Sequence, residues 1–217
     1  MTTIKIKFPT ETWVNATWDE YLQLYQNTSY EKAKFYYNNG RVRIEMTPLG
    51  NPHSRDHAIV IVAVNLFASL KGIDLDVHDN CTYRKTGFQD AQPDVSFYIG
   101  ENAEIIPWET SIISVDQYPA PDLVIEVASS SLADDKGEKR LLYEDLGVRE
   151  YWIIDVNNVD VIAFAIANGG SRRINESQVL PNLSISVITE ALRLSRQMNH
   201  GKVGVWLLEK FKQIPPL

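Results

Sequence analysis

Apolar positions recur along the chain with two periods, near 3.6 residues in some stretches and 2 in others, and they divide it into helices and strands. Thr17-Trp18-Asp19-Glu20 has the spacing of a capping box and opens a short helix to about residue 26. Lys34-Phe35-Tyr36-Tyr37 and Arg41-Val42-Arg43-Ile44-Glu45-Met46 flank Asn38-Asn39-Gly40, a hairpin signal because Asn and Gly accept positive φ. Asn51-Pro52 fits an N-cap with a first-turn proline, and the helix it opens should reach Lys71, where Gly72 can end it. Ile59, Val62, Ala63, Leu66 and Leu70 give that helix a buried face. Strands are expected at about residues 75–84, 94–99 and 122–128. The segment between the last two contains Pro107, Pro119 and Pro121 and reads as a loop or extended lid.

A further helix is expected over residues 133–146, stopped by Gly147. Strands at about 150–155 and 159–164 then surround an Asn157-Asn158 turn. An amphipathic helix near 187–198, with Gly201 as its stop, precedes a last apolar segment. There Trp206 and Phe211 are expected to cover a sheet edge or build a dimer interface. The core order is therefore helix, three strands, helix, strand. The strand–helix–strand unit over 122–155 should be a right-handed parallel crossover. This is an α/β sandwich with a mixed sheet, expected as one domain over residues 1–217. Its core spans about 37–184, and the N-terminal helix 17–26, the hairpin and the tail 185–217 are additions.

Composition narrows the function classes. The 217 residues are 44% hydrophobic, and the longest apolar run, from Ala58 to Val64, is far short of the roughly 20 residues that span a bilayer. Met1-Thr2-Thr3-Ile4-Lys5 lacks the apolar stretch of a secretory signal, and Cys81 is the only cysteine, which excludes an internal disulfide. A cytoplasmic protein is the expectation. The net charge of −7 argues against a protein that coats nucleic acid non-specifically, though not against an enzyme with a local basic groove.

Candidate chemistry lies on two strands that are apolar enough for a sheet core yet interrupted by carboxylates. These are Gln92-Pro93-Asp94-Val95-Ser96-Phe97-Tyr98 and Pro121-Asp122-Leu123-Val124-Ile125-Glu126-Val127. A buried carboxylate needs a cation, a metal or water beside it. Asp122, Val124 and Glu126 share one face of their strand, but four residues at ~3.3 Å each hold the two acids roughly 13 Å apart. Both cannot bind one ion, so Glu126 pairs best with Asp94, and Asp122 is left as a strand-entry residue. A single Pro-Asp pair also reads as an ordinary turn, whereas a glutamate between Ile125 and Val127 does not. On the following helix, Asp135, Lys139 and Tyr143 share a face, with Lys136 on nearly the same side. That pattern equally describes a solvated face with routine ion pairs. His53 and His57 have i, i+4 spacing without the Glu-His continuation of a zinc site, and read as capping or substrate-side polarity. Ser129-Ser130-Ser131 lacks the glycines of a nucleophile elbow and reads as helix capping.

The run Ile125-Glu126-Val127-Ala128-Ser129-Ser130-Ser131, with Asp135, Lys139, Tyr143 and Gly147-Val148-Arg149-Glu150-Tyr151-Trp152-Ile153-Ile154-Asp155, resembles the Uma-type family of putative restriction endonucleases. The resemblance extends upstream through Met46-Thr47-Pro48 and the His53–Leu70 region. It implies a restriction endonuclease-like fold of the PD-(D/E)XK superfamily, with Asp94 and Glu126 as the acids of the second and third core strands. The superfamily lysine falls two residues after the second acid, where this chain has Ala128; the resemblance implies that Lys139 substitutes.

The resulting expectation is a Mg²⁺- or Mn²⁺-dependent endonuclease acting on DNA. Asp94, Glu126 and the carbonyl of Val127 would hold the metal, Lys139 would stabilise charge on the phosphate, and Tyr143, His57 and Asp122 would support. A two-fold dimer would match the symmetry of a duplex. The absent strand lysine and the negative net charge leave two other expectations open. One is an interaction module on a degraded site, and the other is a hydrolase of a smaller phosphodiester.

Overall fold

The computed structural model describes residues 8–46 and 50–215, so Met1–Lys5 and Thr47-Pro48 of the sequence readings lie outside the described residues. Among the described residues, twelve strands form two six-stranded sheets, each with its own role in placing the site.

The first sheet is built on the hairpin of β2 (Ala33–Asn38) and β3 (Arg41–Met46). Asn39 and Gly40 at its turn take φ of 45° and 91°, the positive values that a two-residue turn between right-twisted strands requires. Strand β1 (Trp13–Asn15) flanks β3, while β6 (Gln89–Ala91), β5 (Tyr83–Lys85) and β8 (Ile113–Ser114) continue beyond β2. Helix α1 (Trp18–Tyr25) has the expected capping box, Thr17 and Glu20 bonding each other's backbone. It packs on Phe35, Tyr37, Val42 and Ile44, one face of the hairpin. Alternation then turns Lys34, Tyr36, Arg43 and Glu45 to the opposite face, where the register sets Lys34 against Glu45 and Tyr36 against Arg43.

The second sheet runs β12-β11-β10-β9-β7-β4 and contains the expected core order. Helix α2 (Asn51–Lys71) is followed by β4 (Leu75–Asp79), β7 (Val95–Ile99) and β9 (Leu123–Ala128). The helices α3 (Leu132–Lys136) and α4 (Glu138–Leu146) then lead to β10 (Glu150–Asp155), which pairs parallel to β9. Strands β11 (Asp160–Ala167) and β12 (Gly170–Ile174) extend the far edge. Leu123, Ile125 and Val127 pack with α2, α5 (Ile185–Ser195) and α6 (His200–Lys212) on one side of this sheet. Val124 and Ala128 face Leu142, Tyr143 and Tyr36 on the other.

Several expected elements differ in detail. The strand expected over 75–84 is cut at Asn80, whose φ of 53° turns the chain out of the second sheet so that β5 and β6 join the first. The expected loop between β7 and β9 includes β8, which pairs with β5. Helix α2 closes its first turn on Gly50, with Ser54 N–H bonded to the Gly50 carbonyl at 3.2 Å, so Asn51 lies inside the helix rather than capping it. Its buried stripe follows Ile59, Val60, Ala63, Val64 and Phe67, which leaves Val62 and Leu70 exposed on its flank. Gly201 does not stop a helix; it falls in the first turn of α6, which Asn199 caps. Phe211 is fully buried edge-on against Phe67 at 5.2 Å, docking α6 on α2 instead of covering a sheet edge.

The helix expected over 133–146 breaks at Gly137, which lets α3 turn Asp135 inward while α4 starts afresh. A Cβ at Gly137 would lie 3.1 Å from the Ala133 carbonyl oxygen, a helix backbone atom that cannot easily give way. Gly137→Ala is expected to cost about 1–2 kcal/mol, read as a drop of a few degrees in Tm; an unchanged Tm would refute this steric reading.

Candidate functional site

The ladder between β7 and β9 ends at the pair Val95↔Ile125. One residue earlier, the Asp94 side chain reaches across and its Oδ2 accepts the Val127 N–H at 2.8 Å. His53 Nε2 lies 3.2 Å from the same oxygen, and the Lys34 ammonium lies 2.5 Å from Oδ1. N–H and C=O of one strand residue point to the same edge, so the Val127 carbonyl is directed toward Asp94 as well. Glu126 projects from β9 toward α4. Its Oε1 accepts the Tyr143 hydroxyl at 2.6 Å, and its Oε2 lies 3.4 Å from the Tyr36 hydroxyl.

Lys139 enters from α4 onto the same face as Glu126 and Ala128. Its ammonium, fully buried, stands 2.9 Å from Glu45, 3.0 Å from Asp135 and 3.8 Å from Glu126, and 4.1 Å from the centre of the Tyr36 ring. Arg43 donates to Glu45 at 2.8 Å and forms an ion pair with Asp134 at 3.1 Å, closing the network behind it. A cavity of about 320 Å³ opens at this point, lined among others by Lys34, Glu45, His53, Asp94, Glu126, Val127 and Lys139.

The charges are unevenly balanced. Burial alone would raise the Asp94 pKa, but the hydrogen bond from His53 and the charge of Lys34 outweigh it and hold the carboxyl well below its usual 3.8. Burial pushes Glu126 up to about 8 against the pull of Lys139, and the Asp94 and Asp135 charges push it further. Asp135 is raised by burial too, while Lys139 and Arg43 keep Glu45 low despite its burial. Burial works against the Lys139 charge, yet Glu126, Asp135 and Glu45 hold its pKa well above the ordinary lysine value. Burial and the neighbouring carboxylates outweigh the cations around Glu126, so it holds its proton to a higher pH than an ordinary glutamate.

Of the residues singled out from sequence, Asp94, Glu126, Val127 and Lys139 line this cavity, and Tyr143 is buried behind it, joined to it through Glu126. Asp122 does not line it. It lies at the other end of β9, fully buried, where it bonds Ile99 N–H at 2.8 Å, Asn102 at 3.2 Å and Arg149 at 2.9 Å, tying loops together. His57 does not line the cavity; its Nε2 lies 3.1 Å from the Asp94 carbonyl and 3.3 Å from Asp79. His53 and His57 therefore hold the strand end at Asp94 rather than capping a helix. Lys136 is exposed, unlike Lys139. Ser131 spends its hydroxyl on Asp135 at 2.6 Å and not on a helix N–H. Sequence reasoning missed Lys34, Tyr36 and Glu45; the alternation of the hairpin puts them on one face, but only the fold shows what that face meets.

Asp94 is lowered, so its contribution to stability is whole above 3.8 and fades on acidification. Glu126 is raised, so its contribution is whole below 4.5 and fades as pH climbs through about 8. Between those two values the wild type is expected to lose stability relative to Glu126→Gln, whose amide stays neutral. Urea midpoints of both proteins against pH check this, and a wild-type midpoint that stays level or rises relative to that of Glu126→Gln between pH 4.5 and about 8 would overturn it.

A family model described as putative restriction endonuclease matches residues 18–199, which include every side chain of the cavity network described above from Lys34 to Lys139. The crystal structure of a putative nuclease belonging to DUF820 from Anabaena variabilis ATCC 29413 is similar to this chain with a TM-score of 0.56. The two are 22% identical, and the likeness, which is one of fold, covers 82% of this chain and 99% of that one. No curated protein matches at a significant level. With its core order, its paired acidic strands and a match over most of its length, the chain belongs to the Uma2 family of putative restriction endonucleases.

Proposed function

We propose that this protein is a Mg²⁺- or Mn²⁺-dependent endonuclease that hydrolyses phosphodiester bonds of DNA. The observation that carries the reading is the convergence of Asp94, Glu126 and Lys139, from two strands and a helix, on one cavity. The donor set fits a hard divalent cation. Asp94 Oδ1, the Glu126 carboxyl and the Val127 carbonyl are all oxygens, and they sit where carboxyls outnumber the ammonium groups of Lys34 and Lys139. These three groups would hold the ion; when bound, it supplies Lewis acidity to the phosphate and lowers the pKa of an attacking water.

The chain's own residues do the rest. Lys139, clamped by Glu45 and Asp135, presents a fixed positive charge beside Glu126 and stabilises the charge that develops on the phosphate oxygens. It reaches the face of β9 that carries Ala128, where the superfamily pattern places a strand lysine, and this supports its taking that lysine's part. Tyr143 and Tyr36 orient the Glu126 carboxyl. His57 and His53 fix the backbone and carboxylate of Asp94. Asp122 acts at a distance, by keeping the entry of β9 in place. A two-fold dimer working on the two strands of a duplex belongs to this proposal, as does a cytoplasmic location. Among the described residues no helix is long and apolar enough to cross a membrane.

Asp94→Asn, Glu126→Gln and Lys139→Met are each expected to lower kcat for plasmid cleavage by about 10²–10³-fold, with circular dichroism unchanged. Cleavage by the wild type is expected to require added Mg²⁺ or Mn²⁺. Background cleavage that ignores both the metal and the variants would assign the fold an interaction role instead.

A further inference from the structure

The two oxygens of Asp94 have different occupants. Oδ2 is committed to the fold, through the Val127 N–H and His53. Among the described residues, Oδ1 has one polar partner, the ammonium of Lys34 at 2.5 Å. A cation that Asp94 binds in the cavity must approach Oδ1, because the lone pairs of Oδ2 are in use. That position is already held by a positive charge. Lys34 also differs from Lys139 in its freedom. Lys139 is fixed by Glu45 and Asp135, whereas the Lys34 side chain is 13% exposed and hangs on one carboxylate oxygen by a flexible stem.

We propose that Lys34 is a resident counter-cation that yields Asp94 Oδ1 to the divalent metal and then binds the substrate phosphate as a second cation. This rests on the metal-dependent reading above. A divalent ion arriving at Oδ1 repels the ammonium held there and weakens its hold on that oxygen. Once displaced, the ammonium stays within the cavity mouth, where a phosphodiester is the anion available to it. Lys34 thereby compensates Asp94 before the metal arrives and adds to the substrate charge clamp afterwards. The N-terminal hairpin, through this residue, becomes a substrate-binding element.

Two measurements test this on the full chain. In calorimetry with Mn²⁺ alone, Lys34→Met is expected to bind about tenfold more tightly than wild type, as the internal competitor is gone. In anisotropy with a short fluorescent DNA duplex and Ca²⁺ as probe cation, the slope of log K against log salt should be shallower by about 0.9 in Lys34→Met. Without Ca²⁺ the two slopes should coincide, because Lys34 is then engaged by Asp94. Lys34→Gln repeats both measurements with a polar side chain. Unchanged or weaker Mn²⁺ binding, or a slope difference that does not depend on Ca²⁺, overturns the proposal. Asp94→Asn separates the two levels. If it binds Mn²⁺ like wild type, the metal reading falls and this inference with it; if it loses Mn²⁺ while Lys34→Met behaves as wild type, only the role of Lys34 falls.

Discussion

The bond from Val127 N–H to Asp94 Oδ2 is the constraint on which the site depends. Strand β7 stops pairing with β9 at Val95, and the next rung is made by a side chain instead of a backbone carbonyl. A buried N–H left unmade there would cost about 1–3 kcal/mol, so the carboxylate is held in place by the stability of the sheet itself. The carbonyl of Asp94 is taken as well, by the Asn80 N–H at 3.0 Å and by His57. The position of Asp94 relative to Glu126, one residue from Val127, is thus set by sheet geometry rather than by a mobile loop.

Charge compensation explains the rest of the architecture. Removing one partner of a buried ion pair typically costs 3–5 kcal/mol, roughly, because the other is left uncompensated. Lys139 satisfies this requirement by drawing on three elements at once: Glu45 from β3, Asp135 from α3 and Glu126 from β9. The break at Gly137 is what brings Asp135 and Lys139 inward together. A largely buried polar network of this kind favours one arrangement of the two sheets, since a slip would strand a charge.

The hairpin joins the two sheets at the site, as Tyr83 of β5 joins them elsewhere by its bond to Ser96 of β7. The hairpin's apolar face, with Phe35, Tyr37, Val42 and Ile44, is sealed by α1; its polar face brings Lys34 to Asp94, Tyr36 to Glu126 and Glu45 to Lys139, with Arg43 behind Glu45. A strand with period 2 makes this division unavoidable: the residues that anchor the hairpin and those that reach the site must alternate. Helix α1 therefore supports the site without touching it.

The chain's local patterns disclosed the capping box at Thr17, the Asn39-Gly40 turn, the stop at Gly72, the core order and the two acidic strands, because period, capping and turn chemistry depend on near neighbours in sequence. The spacing of Asp122 and Glu126 along one strand was enough to separate them, and the face shared by Asp135, Lys139 and Tyr143 was also readable. Only the tertiary structure decided that Asp122 ties loops together, that Lys139 reaches the face of Ala128, and that Lys34 and Glu45 enter the site. Lys34 meets Asp94 across 60 residues. Such a pairing arises from how two sheets pack and from the need to compensate buried charge, and neither leaves a periodic trace in the sequence.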